Sequence, residues 1–190
     1  MNATAVILAA GSSSRLGTPK QLLQSDGTTL LRRTALAACS SRAGEIIAVL
    51  GYDAQAMTKE LQGLRVRTVE NSHWREGIGS SIRCAVGALG DGCDCVLLML
   101  CDQTKLTHAH LDTLIDTFAR RPDHPAASVY AGSPGVPALF PRAMFGELLS
   151  LRGDSGAKRV LMACGTDLSL IPWPDGVYDV DTMPDVSLHL

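Results

Sequence analysis

Two hydrophobic rhythms alternate along the chain. Apolar runs of strand length occur at Thr4–Ala9, Glu45–Leu50, Arg65–Glu70 and Cys95–Cys101. Between them, apolar residues return at helical spacing. The run from Cys95 to Cys101 is apolar at every position, as expected for a strand buried on both faces of a parallel sheet. Thr29–Ser40 places Leu30, Leu31, Thr34, Ala35 and Ala38 near the helical period. A second helix, capped by Asp53, runs through Leu61 and ends at Gly63. A third opens at Ser80 or Ser81 and runs through Leu89, and Thr107 caps a fourth through Arg120. Further on, Ala126–Tyr130 and Val136–Phe140 read as short strands around the turn Gly132–Gly135. Helices follow over Arg142–Leu149 and Ser155–Ala163, with short strands near Leu168–Ile171 and Val177–Val180. Strand and helix alternate throughout, which predicts an α/β fold: a single-domain, Rossmann-like three-layer sandwich with a mostly parallel sheet, spanning residues 1–190.

Composition narrows the classes of function. A chain of 190 residues fits one domain with a sizeable core, and a net charge of −2 argues against a general nucleic-acid binder. No uncharged apolar run reaches membrane-spanning length, and the N-terminus lacks the basic region of a signal peptide. Six cysteines are present, several inside apolar runs. The Cys93-Asp94-Cys95 pair has no second Cys or His pair at zinc spacing, so these residues read as reduced core cysteines. The expected compartment is the reducing cytoplasm.

Open α/β sheets bind ligands beyond the carboxyl ends of their strands. The polar groups expected there are the loop Gly11–Lys20, Glu70-Asn71, Asp102 and Asp181. The loop reads Ala9-Ala10-Gly11-Ser12-Ser13-Ser14-Arg15-Leu16-Gly17-Thr18-Pro19-Lys20. Small residues admit close backbone approach, successive N–H groups surround phosphate oxygens, and Arg15 and Lys20 add positive charge. The string is neither a P-loop nor G-x-G-x-x-G. It therefore suggests a nucleoside triphosphate that is attacked at its α-phosphate. Asp102, at the end of the buried strand, suits Mg²⁺ or a turn equally on spacing alone. Asp179 and Asp181 alternate on an expected short strand and offer a second carboxylate, with an acidic tail as the other reading. In Asn71-Ser72-His73-Trp74-Arg75-Glu76-Gly77-Ile78-Gly79-Ser80-Ser81, the glycines permit close approach and the serines either bind a ligand or cap the helix. Asp154 or Ser155 is expected to cap the helix that follows. The Val136–Phe140 strand, limited by proline, reads as an edge strand.

The loop string resembles the signature of the MobA-like nucleotidyltransferases. It looks closest to the branch that makes molybdopterin cytosine dinucleotide, in which Ala-Ala-Gly stands where guanylyl-transferring relatives have Ala-Gly-Gly. The resemblance extends to Cys101-Asp102-Gln103-Thr104, similar to Cys-Asp-Gln-Pro, and to Asp179-Val180-Asp181-Thr182. It also covers the Asn71–Ser81 segment, Gly135-Val136-Pro137-Ala138-Leu139-Phe140 and Gly153-Asp154-Ser155-Gly156-Ala157-Lys158. Thr104, Val136 and the Met183-Pro184-Asp185 ending depart from the pattern. The resemblance implies a fold of the nucleotide-diphospho-sugar-transferase type. It implies Mg-dependent transfer of CMP from CTP to molybdopterin, with pyrophosphate release. The implied catalytic residues are Arg15, Lys20 and Asp102, and the implied metal ligands Asp102 and Asp181, with Asp179 as the spare. Nucleotide would be bound by Ala9, Ala10, Gly11, Ser12, Ser13, Arg15, Lys20, Asn71, Gly79 and Ser80. Alternatives are GTP as donor, a sugar or isoprenoid phosphate as acceptor, or a non-catalytic cofactor chaperone. A molybdoenzyme or its chaperone is a candidate partner; nucleic acid and membrane are not expected.

Overall fold

The structure, a computed structural model, describes residues 1–14 and 16–180; Arg15 and residues 181–190 lie outside the described residues. In chain order its elements are β1 (Ala3–Ala9), the small hairpin β2 (Gln24–Ser25) and β3 (Thr28–Thr29), α1 (Leu30–Ser40), β4 (Glu45–Leu50) and α2 (Ala54–Glu60). Then come β5 (Arg67–Glu70), α3 (Ile78–Gly87), β6 (Cys95–Leu100), α4 (His108–Arg120), β7 (Ala126–Tyr130) and β8 (Ser133–Pro141). Helices α5 (Phe145–Ser150) and α6 (Ala157–Ala163) and strand β9 (Ser169–Pro172) complete it. No helix among the described residues is long and apolar enough to cross a membrane.

The main sheet has seven strands in the order β5-β4-β1-β6-β8-β7-β9. Neighbours pair in parallel except at β8, which runs antiparallel to both β6 and β7. Side chains alternate faces along each strand, and the alternation sorts the core into two layers. Ala5, Ile7 and Ala9 of β1 and Leu97 and Met99 of β6 face Leu31, Met57, Leu114 and Phe118 of α1, α2 and α4. Val6 and Leu8, with Val96 and Leu98, face Ile82, Leu148 and Leu161 of α3, α5 and α6. The result is a three-layer sandwich. Full burial of each large apolar side chain contributes about 1.5–3 kcal/mol.

Local chemistry sets several boundaries. Thr107 caps α4 as expected, and Thr29, expected inside the helix, caps α1; their hydroxyls accept the backbone N–H groups of His110 and Arg32. Three expected caps differ. Asp53 precedes α2 in a left-handed conformation, and its side chain makes no capping bond. Helix α3 starts after Gly77, not at a serine. Gly156, with no side-chain capping bond, takes the N-cap position of α6 expected for Asp154 or Ser155. The strand expected at Val177–Val180 is instead a 3₁₀ turn over Pro174–Val177, followed by an isolated bridge between Gln103 and Asp179.

Strand β8 lies inside the sheet rather than at an edge. It tolerates proline there because its pairing with β7 slips. Ala127 faces Ala138 but Ser128 faces Gly135, so Val136 and Pro137 bulge out of the ladder. A bulge is where a residue without an N–H fits an interior strand.

Candidate active site

Beyond the carboxyl ends of β1 and β6 opens a cleft of about 590 Å³, a size that accommodates a nucleotide. Its lining includes Leu8 and Ala10 from the end of β1, then Gly11, Ser12, Ser13 and Ser14 of the loop. Lys20 and Gln21 follow from the next turn. Trp74, Arg75, Gly77, Ile78 and Ser81 come from the entry to α3, and Leu100, Cys101 and Asp102 from the end of β6. Asp154 and Asp179 complete the wall. Leu8, Leu98 and Leu100 lie on the α3 side of the sheet, and Asp102 follows just beyond the end of β6, so an acid stands beside an apolar floor.

The loop is held by a residue the sequence did not single out. The buried Gln21 side chain donates through Nε2 to the carbonyls of Ala9 at 3.0 Å and Gly11 at 2.7 Å. Both carbonyls are thereby engaged by one side-chain donor. Ser13, at a positive φ of 53°, accepts the Lys20 backbone N–H at 3.0 Å through its hydroxyl. Gln21 has no local signature: its partners lie ten and twelve residues back and only the folded loop brings them together.

On the floor, the Lys20 ammonium is ion-paired with Oδ2 of Asp102, whose side chain is only 6% exposed. The other oxygen, Oδ1, is buried without a hydrogen-bond partner among the described residues. A buried acceptor left bare is costly, and a hard cation is the kind of group that satisfies it. Asp102 is thus fit to hold a metal. Asp179 lines the same cleft, while Arg15 and Asp181 lie outside the described residues. Among the described residues no group of three or more His, Cys, Asp or Glu side chains is gathered to hold a metal. Burial, with Asp102 adding to it, pushes the Cys101 thiol up to about 12, so it is no nucleophile at neutral pH.

The opposite wall is built from two turns. Gly77 has φ +98°, and a Cβ there would stand 2.5 Å from both Gly153 O and Asp154 Oδ1. The Gly79 N–H donates to Gly153 O at 3.0 Å. These contacts bring Asp154 into the cleft instead of onto α6. Asn71, Gly79, Ser80 and Ala9 stand behind the lining. The Asn71 amide donates to Ser80 Oγ at 2.9 Å and to Ser81 Oγ at 3.1 Å. The Ser80 hydroxyl donates to Gly77 O at 2.8 Å. Ser81, the neighbour of the predicted Ser80, is therefore the serine that reaches the cleft. The Arg75 guanidinium lies 4.3 Å from the Trp74 ring centroid, a cation–π contact that sets a positive charge on the wall.

Comparison with known proteins agrees with this architecture. The family model described as MobA-like NTP transferase domain matches residues 5–168. Nicotine blue oxidoreductase of Paenarthrobacter nicotinovorans is 31% identical over 191 residues, covering 95% of this chain and 92% of that protein. A crystal structure of the homologue of Mycobacterium tuberculosis Rv0371c from Mycobacterium sp. strain JC1 is 34% identical. It superposes with a TM-score of 0.83, covering 98% of this chain and 93% of that one. Rv0371c of Mycobacterium tuberculosis H37Rv, crystallised as a complex with manganese, is 31% identical with a TM-score of 0.80, covering 100% of this chain and 98% of that one.

Proposed function

The chain belongs to the MobA-like NTP transferase family and is a nucleotidyltransferase, and we propose that it moves CMP from CTP to the terminal phosphate of molybdopterin. One observation carries the reading: a lysine and a half-unsatisfied buried aspartate are paired on the floor of a nucleotide-sized cleft, beside a loop whose first carbonyls are held by the Gln21 amide.

In this reading an oxygen of the acceptor phosphate attacks the α-phosphorus. The new P–O bond forms as the bond to the β-phosphate bridge breaks, and pyrophosphate leaves with the electron pair. Lys20 and the loop N–H groups bind the triphosphate and neutralise charge as it shifts to the leaving group. Arg15 is assigned the same task by the resemblance. Asp102 holds a divalent cation, Mg²⁺ by expectation, with Asp181 or Asp179 as the second carboxylate. A metal bound there supplies Lewis-acid charge stabilisation to the phosphates. A relative crystallised with manganese supports divalent chemistry in this family. No side chain is required as a nucleophile, in keeping with the raised Cys101 thiol.

For the base, the apolar patch of Leu8, Ala10, Ile78 and Leu100 forms a slot with the Ser81 hydroxyl beside it. A hydroxyl donor matches the O2 carbonyl of cytosine. Ala10 is fixed by its carbonyl accepting the Tyr52 N–H, and in this reading its methyl group would narrow the space beside the base against a purine.

The test is incubation of the protein with each of the four nucleoside triphosphates, a divalent cation and molybdopterin, measuring pyrophosphate and the dinucleotide. CTP is expected to give the higher turnover efficiency, and Ala10→Gly to move the CTP-to-GTP ratio towards GTP. Equal use of both nucleotides would remove the cytidylyl assignment. Absence of the dinucleotide with every donor would remove molybdopterin as the acceptor.

A further inference from the structure

Behind Asp102, the bulge in β8 exposes two carbonyls that the strand ladder leaves to side chains. The Pro137 carbonyl accepts from the Ser128 hydroxyl at 2.8 Å. The Val136 carbonyl accepts twice, from Gln103 Nε2 at 2.9 Å and from the Tyr130 hydroxyl at 3.0 Å. Gln103 Nε2 also donates to the Tyr130 oxygen at 3.3 Å. Tyrosine, glutamine and carbonyl therefore close a three-membered clasp.

Gln103 is the residue between the cleft acid and its neighbouring segment. Asp102 precedes it, and Gln103 itself bridges to Asp179 in antiparallel fashion. The same pairing continues on both sides, with Thr104 N donating to Tyr178 O at 3.1 Å and Val180 N to Asp102 O at 3.2 Å. Whatever fixes Gln103 fixes the stretch that carries Asp102 and, across the bridge, the stretch that carries Asp179.

The fold reserves space for the Tyr130 ring on both of the segments it joins. A Cβ on Gly135, in the strand leading to the bulge, would stand 2.5 Å from the Tyr130 hydroxyl oxygen. One on Gly176, in the turn leading to Tyr178 and Asp179, would stand 2.4 Å from ring atom Cδ1. Trp173 meets the ring edge-on with centroids 5.9 Å apart. Burial, with Asp102 and Asp179 adding to it, pushes the Tyr130 phenol up, so the hydroxyl keeps its proton and stays a donor.

We propose that Tyr130 is the positioning residue for the cleft carboxylates: through Gln103 and the Val136 carbonyl it aligns the Asp102 and Asp179 segments to receive a divalent cation. The proposal rests on the metal role of Asp102 given above. Tyr130→Phe keeps the ring and removes the hydroxyl, leaving Gln103 with one anchor.

The test is Mn²⁺ binding by calorimetry to nucleotide-free wild type, Tyr130→Phe, Asp102→Asn and Ser128→Ala. Loss of one hydrogen bond of ordinary strength predicts about fivefold weaker Mn²⁺ binding for Tyr130→Phe. In turnover, the same variant should lower kcat and leave the nucleotide KM unchanged, because the phosphate loop is not part of the clasp. Ser128→Ala removes the neighbouring carbonyl contact and should lower stability without changing Mn²⁺ affinity. If Asp102→Asn loses Mn²⁺ while Tyr130→Phe binds it as wild type does, the positioning role is overturned and the metal assignment stands. If Asp102→Asn binds Mn²⁺ as wild type does, the metal assignment falls and this role falls with it.

Discussion

The pairing of Lys20 with Asp102 makes the floor of the cleft depend on its own lysine. The perturbation that exposes this is Lys20→Met, which keeps the length of the stem and removes the charge. Asp102 is 6% exposed and Lys20 21% at the side chain. The carboxylate thus loses its ion-pair partner while still buried. Removing one member of a buried pair costs about 3–5 kcal/mol, and the partial exposure of Lys20 points to the lower end. For a chain of this size each kcal/mol moves Tm by about 2–4 °C, so a fall of roughly 6–12 °C is expected in the presence of a chelator. Adding Mn²⁺ should return much of that fall, since the cation takes over the task of neutralising Asp102, and it should raise the wild type by less. Lys20→Met combined with Asp102→Asn should be no less stable than Lys20→Met alone, because both charges are then gone. Thermal unfolding with chelator and with Mn²⁺ measures all of this. A Lys20→Met protein melting within about 2 °C of wild type in chelator would refute the idea that the pair is energetically coupled.

Two further outcomes follow from the same geometry. Gly77→Ala forces a side chain into a left-handed position and against Gly153 and Asp154, so it should cost more than about 1 kcal/mol, visible in Tm, and lower turnover by spreading the cleft wall. His110 is pushed down to about 4 by burial, its Nε2 lying 2.7 Å from Ser128 Oγ. The unfolded chain, with an ordinary value near 6.5, binds more protons between those limits, so this stabilisation is complete above about pH 6.5 and is lost as pH falls towards 4. His110→Gln should flatten the acid side of a stability-versus-pH curve, a change worth roughly 3 kcal/mol across that window, and an unaltered curve would contradict it.

The elements legible in the sequence are those whose cause is local. Strands β1, β4 and β6 announce themselves because both faces are buried and the runs are continuously apolar. Helix α1 does so through the helical spacing of Leu30, Leu31, Thr34, Ala35 and Ala38, and α4 through the Thr107 cap. The start of α3 was obscured by two serines that look like caps; the actual determinant is Gly77, whose backbone angle answers to Gly153 across the cleft. The prolines of β8 suggested an edge, whereas a bulge hides them inside the sheet. In the site, Lys20 and Asp102 were readable as a charge pattern at strand ends. Ser81 rather than Ser80 lines the cleft because helical phase, not residue type, chooses which serine faces it. Gln21, Asp154 and Tyr130 owe their positions to segments distant in sequence, which no local pattern displays.

The amide of Gln21 has a consequence in time as well as in shape. By holding the carbonyls of Ala9 and Gly11, it orders the first part of the loop proposed to bind the triphosphate while the chain folds, before any ligand arrives. The conformational entropy of that stretch is lost at folding and not at each encounter with a nucleotide. Capture of the triphosphate can then proceed at a rate set by diffusion and charge attraction, with no wait for this part of the loop to form.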